Sequence, residues 1–158
     1  MFLRVSLFIL VAALLPAPLH AAGSKKGKAA ISFHLQADVG DAPKMVYPMM
    51  VNDKQLSFKR MPEFTTEDFA AYKAIPSKTK QGVYDIMLQL KPKTAKRLQH
   101  ITNVHRGKYL AAQLNGRPGE AVIIDAQVND GILMIWGAAT DADLEILAET
   151  LEGGVELQ

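Results

Sequence analysis

The sequence predicts an α+β fold, a two-layer sandwich in which helices cover one face of a mostly antiparallel sheet. Two observations support this prediction. Short segments between residues 29 and 138 alternate apolar and polar residues, as half-buried strands do. Other segments place apolar residues at helical spacing, and the dipeptide Asn115-Gly116 between two strands is a strong hairpin signal. We therefore predict a single α+β domain over residues 29–154.

The first third of this domain is predicted to consist of strands. Ile31, Phe33 and Leu35 alternate with polar residues and would line one buried face. The predicted elements are a strand over 29–37, a loop over 38–43, an edge strand over 45–51 that Pro48 interrupts, a turn at Asn52-Asp53 and a strand over 55–59.

A short helix is predicted to begin at Thr65. Thr65 and Asp68 have the spacing of a capping box, in which each side chain bonds the other residue's backbone N–H. Phe69 and Tyr72 would share the buried face of this helix, and Pro76 would end it.

The middle of the chain is predicted to form a strand over 82–90 and a helix that begins at Pro92 and stops at Gly107. Proline suits the first position of a helix because the N–H that it lacks would have no partner there. The apolar stripe of this helix comprises Ala95, Leu98, Ile101, Thr102 and His105.

A three-stranded meander and a final helix complete the domain. The predicted strands are 108–114, 121–128 and 132–138, with turns at Asn115-Gly116 and at 129–131. Thr140 and Asp143 form a second capping box, and Gly153-Gly154 would end the last helix. Its buried stripe comprises Leu144, Leu147, Ala148 and Leu151.

Residues 1–22 have the layout of a secretory signal peptide. A single charge, Arg4, precedes an apolar run, and small residues follow it. The run is shorter than the roughly 20 residues that cross a bilayer, although an uncleaved anchor or a buried first helix remains an alternative. Residues 23–28 would be a flexible basic linker and 155–158 a C-terminal tail. We therefore expect a protein exported to the periplasm or secreted, from a Gram-negative bacterium, with no membrane span after cleavage.

The charges are sorted along the chain. Residues 73–117 contain ten Lys and Arg and one acidic residue, whereas residues 118–158 contain nine acidic residues and no Lys or Arg. Residues 29–158 have 14 basic and 16 acidic side chains, a net charge of −2, which argues against a nucleic-acid partner. The basic and acidic helices could lie side by side and neutralise each other, or they could form a dipolar surface that orients a partner.

The residues do not predict an active site. The chain has no cysteine, which excludes disulfides, thiol catalysis and zinc–thiolate sites. His100 and His105 are five residues apart, so they do not share a helix face, and His34 lies in a distant strand. We expect these histidines at the surface or at helix ends, with no metal, cofactor or catalytic residue. The alternatives are a small hydrolase or metal-dependent enzyme that uses His100 and His105, and an oligomerising structural protein of the envelope.

Three stretches between residues 62 and 154 resemble the head part of the first periplasmic domain of SecD, a membrane subunit of the bacterial protein-export machinery. They are Thr65-x-x-Asp68 followed by Val83-x-x-Ile86-x-Leu88-x-Leu90, Thr94-Ala95-x-x-Leu98 continuing to Asn115-Gly116, and Asp130-Gly131 continuing through Thr140-x-x-Asp143 to Gly153-Gly154. The resemblance implies a ferredoxin-like variant of the sandwich and a non-enzymatic surface that contacts another polypeptide in the envelope. SecD couples export to a proton gradient through transmembrane helices, and no counterpart of those helices is recognisable here.

The resemblance and the alternation together predict which residues face outward. Leu110, Ala112, Leu114, Val122, Ile124, Ala126, Leu133 and Ile135 would point toward the helices. The opposite face would carry Met87, Tyr109, Ala111, Ile123, Met134 and Trp136. An exposed apolar face with aromatic residues is typical of a binding surface. We therefore predict a partner-binding site formed by Trp136, Tyr109, Met134, Ile123 and Met87. The alternative is that residues 29–60 cover this face, or that it belongs to an ordinary core.

Overall fold

The computed structural model describes residues 28–151. The predicted signal peptide, residues 23–27 of the predicted linker, the glycine pair at 153–154 and the predicted tail lie outside the described residues. Among residues 28–151, no helix is long and apolar enough to cross a membrane.

The described chain contains nine strands and two α-helices. In chain order they are β1 (Ile31–Leu35), β2 (Val46–Val51), β3 (Lys54–Lys59), β4 (Phe64–Thr65), β5 (Phe69–Pro76), β6 (Tyr84–Leu90), α1 (Pro92–Val104), β7 (Tyr109–Leu114), β8 (Arg117–Ile123), β9 (Ile132–Ala139) and α2 (Asp141–Thr150). Single 3-10 turns occupy Pro43–Met45 and Thr66–Asp68.

All the paired strands are antiparallel, and they form two sheets and a hairpin. The four-stranded sheet has the order β4-β1-β7-β8, the three-stranded sheet has the order β5-β6-β9, and β2 pairs with β3. The two sheets meet where β8 lies beside β9. The predicted α+β class, a mostly antiparallel sheet with helices packed against it, is confirmed.

One apolar core joins both sheets and both helices. It contains Phe33 and Leu35 from β1, Ile86 and Leu88 from β6, Leu98 from α1 and Leu147 from α2, together with the residues that alternate with them inward. The Phe33 and Phe69 rings, whose centroids are 5.9 Å apart, bring β1 and β5 into contact within this core. Alternate residues point to opposite faces of a strand, so the inward set leaves a second, outward set on each sheet.

The β2–β3 hairpin covers the outward face of the four-stranded sheet. Val51 and Phe58 of the hairpin pack against Ala111 of β7 and bury it. Tyr47 and Tyr109 lie partly buried beside this second cluster. Asn52 and Asp53 form the turn with φ of 48° and 61°, values that Asn and Asp adopt more readily than most residues. Pro48 is accommodated because β2 is a terminal strand.

The helix predicted from Thr65 is wrong. The capping box is present, but it closes only the 3-10 turn at Thr66–Asp68, and β5 follows immediately. β5 pairs with β6 along its length, from Phe69 opposite Leu90 to Pro76 opposite Tyr84. Eight residues of cross-strand hydrogen bonds and side-chain contacts outweigh the weak helical preference of an alanine-rich segment.

The predicted meander is also wrong in its last pairing. β7 and β8 form the expected hairpin, and Asn115 and Gly116 have φ of 53° and 74°. β9, however, pairs with β6 of the other sheet. β8 begins at Arg117 and ends at Ile123, earlier than expected, and Val122 and Ala126, predicted to face the helices, are exposed.

Both long helices occur where the sequence predicts them. α1 begins at Pro92 and buries Leu98, Ile101 and Thr102, and Gly107 with φ of 84° follows it. α2 begins at the predicted capping box of Thr140 and Asp143 and buries Leu147. Ala148, predicted to lie in the buried stripe of α2, is exposed.

Candidate functional site

The five residues predicted to bind a partner lie on two different sheets. Tyr109 and Ile123 are opposite each other on β7 and β8 of the four-stranded sheet. Met87 and Met134 are opposite each other on β6 and β9 of the three-stranded sheet, and Trp136 follows on β9. The structure therefore divides the set into a pair near the β2–β3 hairpin and a trio elsewhere.

The hairpin covers part of the face that was expected to be open. Ala111 has no exposed surface, and Tyr109 is half-buried against the same cluster. The β2–β3 hairpin therefore covers Ala111 completely and Tyr109 in part. Ile123 is 51% exposed.

The outer face of the three-stranded sheet is different, because none of its residues belongs to the hairpin's apolar cluster, and Met87 and Met134 are half-buried there. We use "outer face" for Lys73, Ile75, Met87, Met134 and Trp136. Lys73, Met87 and Met134 stand in one row across β5, β6 and β9, while their neighbours Ile86 and Leu88 point into the core. Neither apolar cluster of the described residues includes Met87, Met134 or Trp136.

A bulge in β9 presents Trp136. Ile135 lies opposite Ile86, and Ala139 lies opposite Tyr84, so three residues of β9 face the single residue Asp85. Gly137 adopts φ of 52° within the bulge and donates its N–H to the buried Asp85 carboxylate at 2.6 Å. The Trp136 side chain is left 42% exposed. A glycine inside a strand pattern is the signal from which the sequence could have predicted this bulge.

Trp136 lies on the rim of a cleft of about 270 Å³ at the junction of β8 and β9. The cleft is lined by Lys80, Arg117, Pro118, Gly119, Glu120, Trp136, Gly137 and Ala138. Lys80 reaches across Gly137, since its Cδ and Nζ would be 3.6 Å from a Cβ at that position. The cleft therefore combines an indole with two cationic side chains and one carboxylate.

Asp143 fixes one wall of this cleft. Its Oδ2 accepts hydrogen bonds from Arg117 Nη2 at 2.5 Å and from the Thr140 hydroxyl and backbone N–H, and its Oδ1 accepts from Asn115 Nδ2 at 2.8 Å. Burial by itself would raise the pKa of Asp143, but these hydrogen bonds outweigh it and lower the pKa to about 2. The start of α2 is thereby tied to the β7–β8 turn and to Arg117.

The histidines do not converge. His34 is 6% exposed, so the expectation of a surface position is wrong for it. It lies under the hairpin, where Nε2 is 2.8 Å from Ser32 Oγ, Nδ1 is 2.8 Å from the Lys59 carbonyl oxygen and the ring meets Tyr47 edge-on. Burial lowers the pKa of both His34 and His105. His100 is exposed on α1.

The described residues have two further features that bear on ligand binding. Within residues 28–151, no three His, Cys, Asp or Glu side chains come together as metal ligands. A second depression, of about 430 Å³, lies along residues 37–43 and is lined by Asp38, Val39, Asp41, Val46 and others. Asp38 there pairs with Lys108 at 2.5 Å, which lowers the pKa of Asp38. This ion pair is open to solvent and contributes little to stability.

Fold and outer face together define the class of protein, an α+β domain with an exposed tryptophan beside two half-buried methionines on its three-stranded sheet. No protein-family model matches the sequence, and no curated protein matches it. Solved structures that share its fold include two of SecDF. One is SecDF, described as a membrane component that enhances protein export, with a TM-score of 0.57, 20% identity, and coverage of 82% of this chain and 64% of the other. The second is SecDF in a super-membrane-facing form, with a TM-score of 0.53, 19% identity, and coverage of 78% and 19%.

These comparisons confirm, at the level of the fold, the SecD resemblance that the sequence predicts. At 19–20% identity the likeness shows a shared fold rather than a shared activity. This chain spans less than two thirds of the first SecDF chain and about one fifth of the second.

Proposed function

We propose that this protein is an exported, non-enzymatic module that binds other polypeptides of the cell envelope through the outer face of its three-stranded sheet. Trp136 is the central anchor, and Met87 and Met134 form the apolar surface beside it. Ile123 and the accessible edge of Tyr109 provide a second contact on the four-stranded sheet.

The observation that carries this proposal is the exposed Trp136 beside Met87 and Met134, outside both apolar clusters of the described residues. Aromatic residues and methionine are enriched at protein interfaces, where a rigid ring or an adaptable thioether supplies contact area. The bulge and the Asp85 hydrogen bond hold Trp136 in place before any partner binds, which reduces the entropy lost on binding.

The fold supports the same class of function. The structures that share it are those of a component that enhances protein export. A polypeptide partner is consistent with that role, and the predicted signal peptide would bring this chain to the same compartment.

Site-specific photocrosslinking tests the proposal directly. A photoreactive phenylalanine analogue at position 136 or 134 is expected to give discrete crosslinked products with envelope polypeptides in cells. The matched control is position 39, because Val39 is fully exposed but lies in the loop of residues 37–43. Equal crosslinking at positions 39 and 136 would show that the outer face is not a specific site.

A double variant provides the quantitative test. In pull-down without a crosslinker, replacing Trp136 and Met134 with Ala should weaken recovery of the partner that crosslinking identifies about tenfold or more, as expected when interface anchors are removed. The Val39→Ala variant should bind as the wild type does, and all three proteins should have similar melting curves. Hydrolase turnover or a stoichiometric metal in the purified protein would contradict the non-enzymatic assignment.

A further inference from the structure

The outward side of α1 is a charged surface, separate from the outer face. Residues 86–119 contain seven Lys and Arg and no acidic residue, and five of the seven lie on α1 or next to it. All five are exposed, as are the His100 and Val104 side chains of the same helix. We use "cationic face" for Lys91, Lys93, Lys96, Arg97, His100, Val104 and Arg106.

Helical geometry gathers this surface on one side of α1. At about 100° per residue, the members of the cationic face that belong to the helix, from Lys93 to Val104, fall within an arc of about 100°. The same rise of about 1.5 Å per residue makes the face roughly 16 Å long. The buried residues of α1 point the other way, into the core.

Few carboxylates neutralise the cationic face. Arg97 Nη2 donates to Asp68 Oδ2 at 3.2 Å, and its guanidinium lies 4.9 Å from the Phe64 ring centroid. Among residues 28–151, Lys93, Lys96 and Arg106 have no hydrogen-bond or ion-pair partner. The flanking acidic residues are Glu63, Glu67 and Asp68, of which Glu63 and Glu67 contribute carbonyl oxygens to Arg97 and Lys91. Five cations therefore face three carboxylates, and the surface keeps a net positive charge.

The start of the described chain adds a cation at one end of this surface. The Ala29 carbonyl oxygen accepts a hydrogen bond from the Thr66 hydroxyl at 3.0 Å. Two residues further on, the Asp68 carbonyl oxygen accepts from the Lys91 N–H at 2.9 Å. Lys28, which is exposed, therefore joins the domain at the end where α1 begins.

We propose that the cationic face docks the domain, peripherally and reversibly, on the headgroups of an anionic phospholipid bilayer. Clusters of Lys and Arg on a helix surface bind such headgroups electrostatically. This goes beyond the proposed function and does not depend on it. α1 packs on the inner side of the three-stranded sheet, whose outer face is on the other side. Docking through α1 therefore turns Trp136 away from the bilayer, toward polypeptides.

An acidic polypeptide is a poorer occupant of the cationic face than a bilayer. Polypeptides are held in grooves or by backbone pairing, whereas the backbone groups of α1 bond within the helix. Neither of the two depressions described above is lined by a residue of α1. A bilayer needs only cations on one side of the protein. Val104, which is 57% exposed on that side, adds an apolar contact with the lipid boundary.

Vesicle sedimentation of the protein recovered after export tests the docking. The probes are vesicles of phosphatidylcholine containing about 40% phosphatidylglycerol, and vesicles of phosphatidylcholine alone. The protein should sediment with the anionic vesicles and stay in solution with the neutral ones. Raising the salt concentration from about 0.05 M to 0.5 M should weaken binding about tenfold or more, because the charges are exposed and screened.

Charge reversal locates the contact. Each lysine near an anionic surface strengthens binding about fivefold, so Lys93→Glu with Lys96→Glu should weaken it about 25-fold or more. Acidic residues near the start of a helix are favourable, so this variant should fold, and its melting curve verifies that. Lys93→Arg with Lys96→Arg keeps the charges and should bind within about twofold of the wild type.

The matched control is Lys54→Glu with Lys78→Glu. It changes the net charge equally, but these exposed lysines lie in the β2–β3 hairpin and in the loop between β5 and β6. The control should bind within about threefold of the wild type, because charges distant from the contact are screened. All variants share one N-terminus, so their differences report the substituted positions alone.

Several outcomes would overturn membrane docking through α1. They are absence of binding to anionic vesicles, normal binding by the Lys93 and Lys96 reversal, and an equal loss in the Lys54 and Lys78 control. Binding to soluble polyglutamate but not to vesicles would assign the face to an acidic polypeptide. Self-association that the reversal abolishes would assign it to a second copy. If Trp136→Ala rather than the reversal abolishes vesicle binding, the outer face meets the bilayer instead. Failure of crosslinking at position 136, by contrast, contradicts only the proposed function.

Discussion

Replacing Asp143 with Asn should destabilise the fold by about 2–3 kcal/mol at neutral pH. The pKa of Asp143 is lowered from 3.8 to about 2 in the folded protein. At roughly 1.4 kcal/mol for each pKa unit, this lowering of the Asp143 pKa corresponds to a stabilisation of that size. The side chain is only 7% exposed, so solvent screens these interactions weakly. Asn would also turn an N–H donor toward the donors of Arg117, Thr140 or Asn115.

The pH dependence gives this prediction its sign. A carboxyl whose folded-state pKa is lowered stabilises the fold above its unfolded-state pKa, near 3.8, and loses that contribution as the pH falls through about 2. The free-energy difference between wild type and Asp143→Asn should therefore shrink as the pH is lowered from 7 toward 2. Urea unfolding monitored by circular dichroism at a series of pH values measures it.

Asp125→Asn is the matched control, because Asp125 is exposed. This variant should stay within about 0.5 kcal/mol of the wild type at every pH. Equal stability of wild type and Asp143→Asn at pH 7, or a difference between them that does not change with pH, would refute the role assigned to the Asp143 carboxylate.

Two further stability predictions follow from the backbone and from burial. Gly137→Ala should cost about 1–2 kcal/mol, since φ is 52° there and only the flexible Lys80 side chain is nearby. Gly131→Ala should cost more in the same unfolding assay, because its Cβ would lie 2.7 Å from the Ala95 Cβ, and equal costs would contradict this packing. Burial lowers the pKa of His34 below 6.5, so the wild type should lose stability as the pH falls below that value, and His34→Gln should lose less. An identical pH profile for the two proteins would exclude His34 as a source of this dependence.

Local chemistry explains which predictions of the fold succeed. Asn115 and Gly116 form the expected turn because both can adopt positive φ. Thr140 and Asp143 cap α2 because the hydrogen bonds of a capping box join residues only three apart. In both cases, residues adjacent in sequence contain the whole interaction, so pattern and structure agree.

Long-range pairing explains the failures. The capping box at Thr65 is real, but whether a helix or a strand follows it depends on β6, which begins nearly twenty residues later. Similarly, β9 follows β8 in the chain but pairs with β6. Strand partners are chosen by the packing of both faces, and a single strand's alternation does not identify its neighbour.

The candidate site shows the same division. The sequence predicts Trp136, Met134 and Met87 as outward-facing, and the structure places them together on the three-stranded sheet. It also predicts Tyr109 and Ala111 on that face, but the β2–β3 hairpin covers their sheet. Gly137 is a local signal for the bulge, but the hydrogen bond from its N–H to Asp85 joins residues 52 apart, and no sequence pattern indicates it.

The sequence by itself determined the α+β class, both long helices, the Asn115-Gly116 turn and the inward face of most strands. Each of these depends on periodicity or on bonds between near neighbours, which are present in the chain before it folds. Only the tertiary structure decided that residues 69–76 form an edge strand, that β9 joins β6, and that the β2–β3 hairpin covers the outward face of the four-stranded sheet. Those choices depend on which surfaces meet, because burying apolar area against a particular partner, rather than local preference, selects among the alternatives.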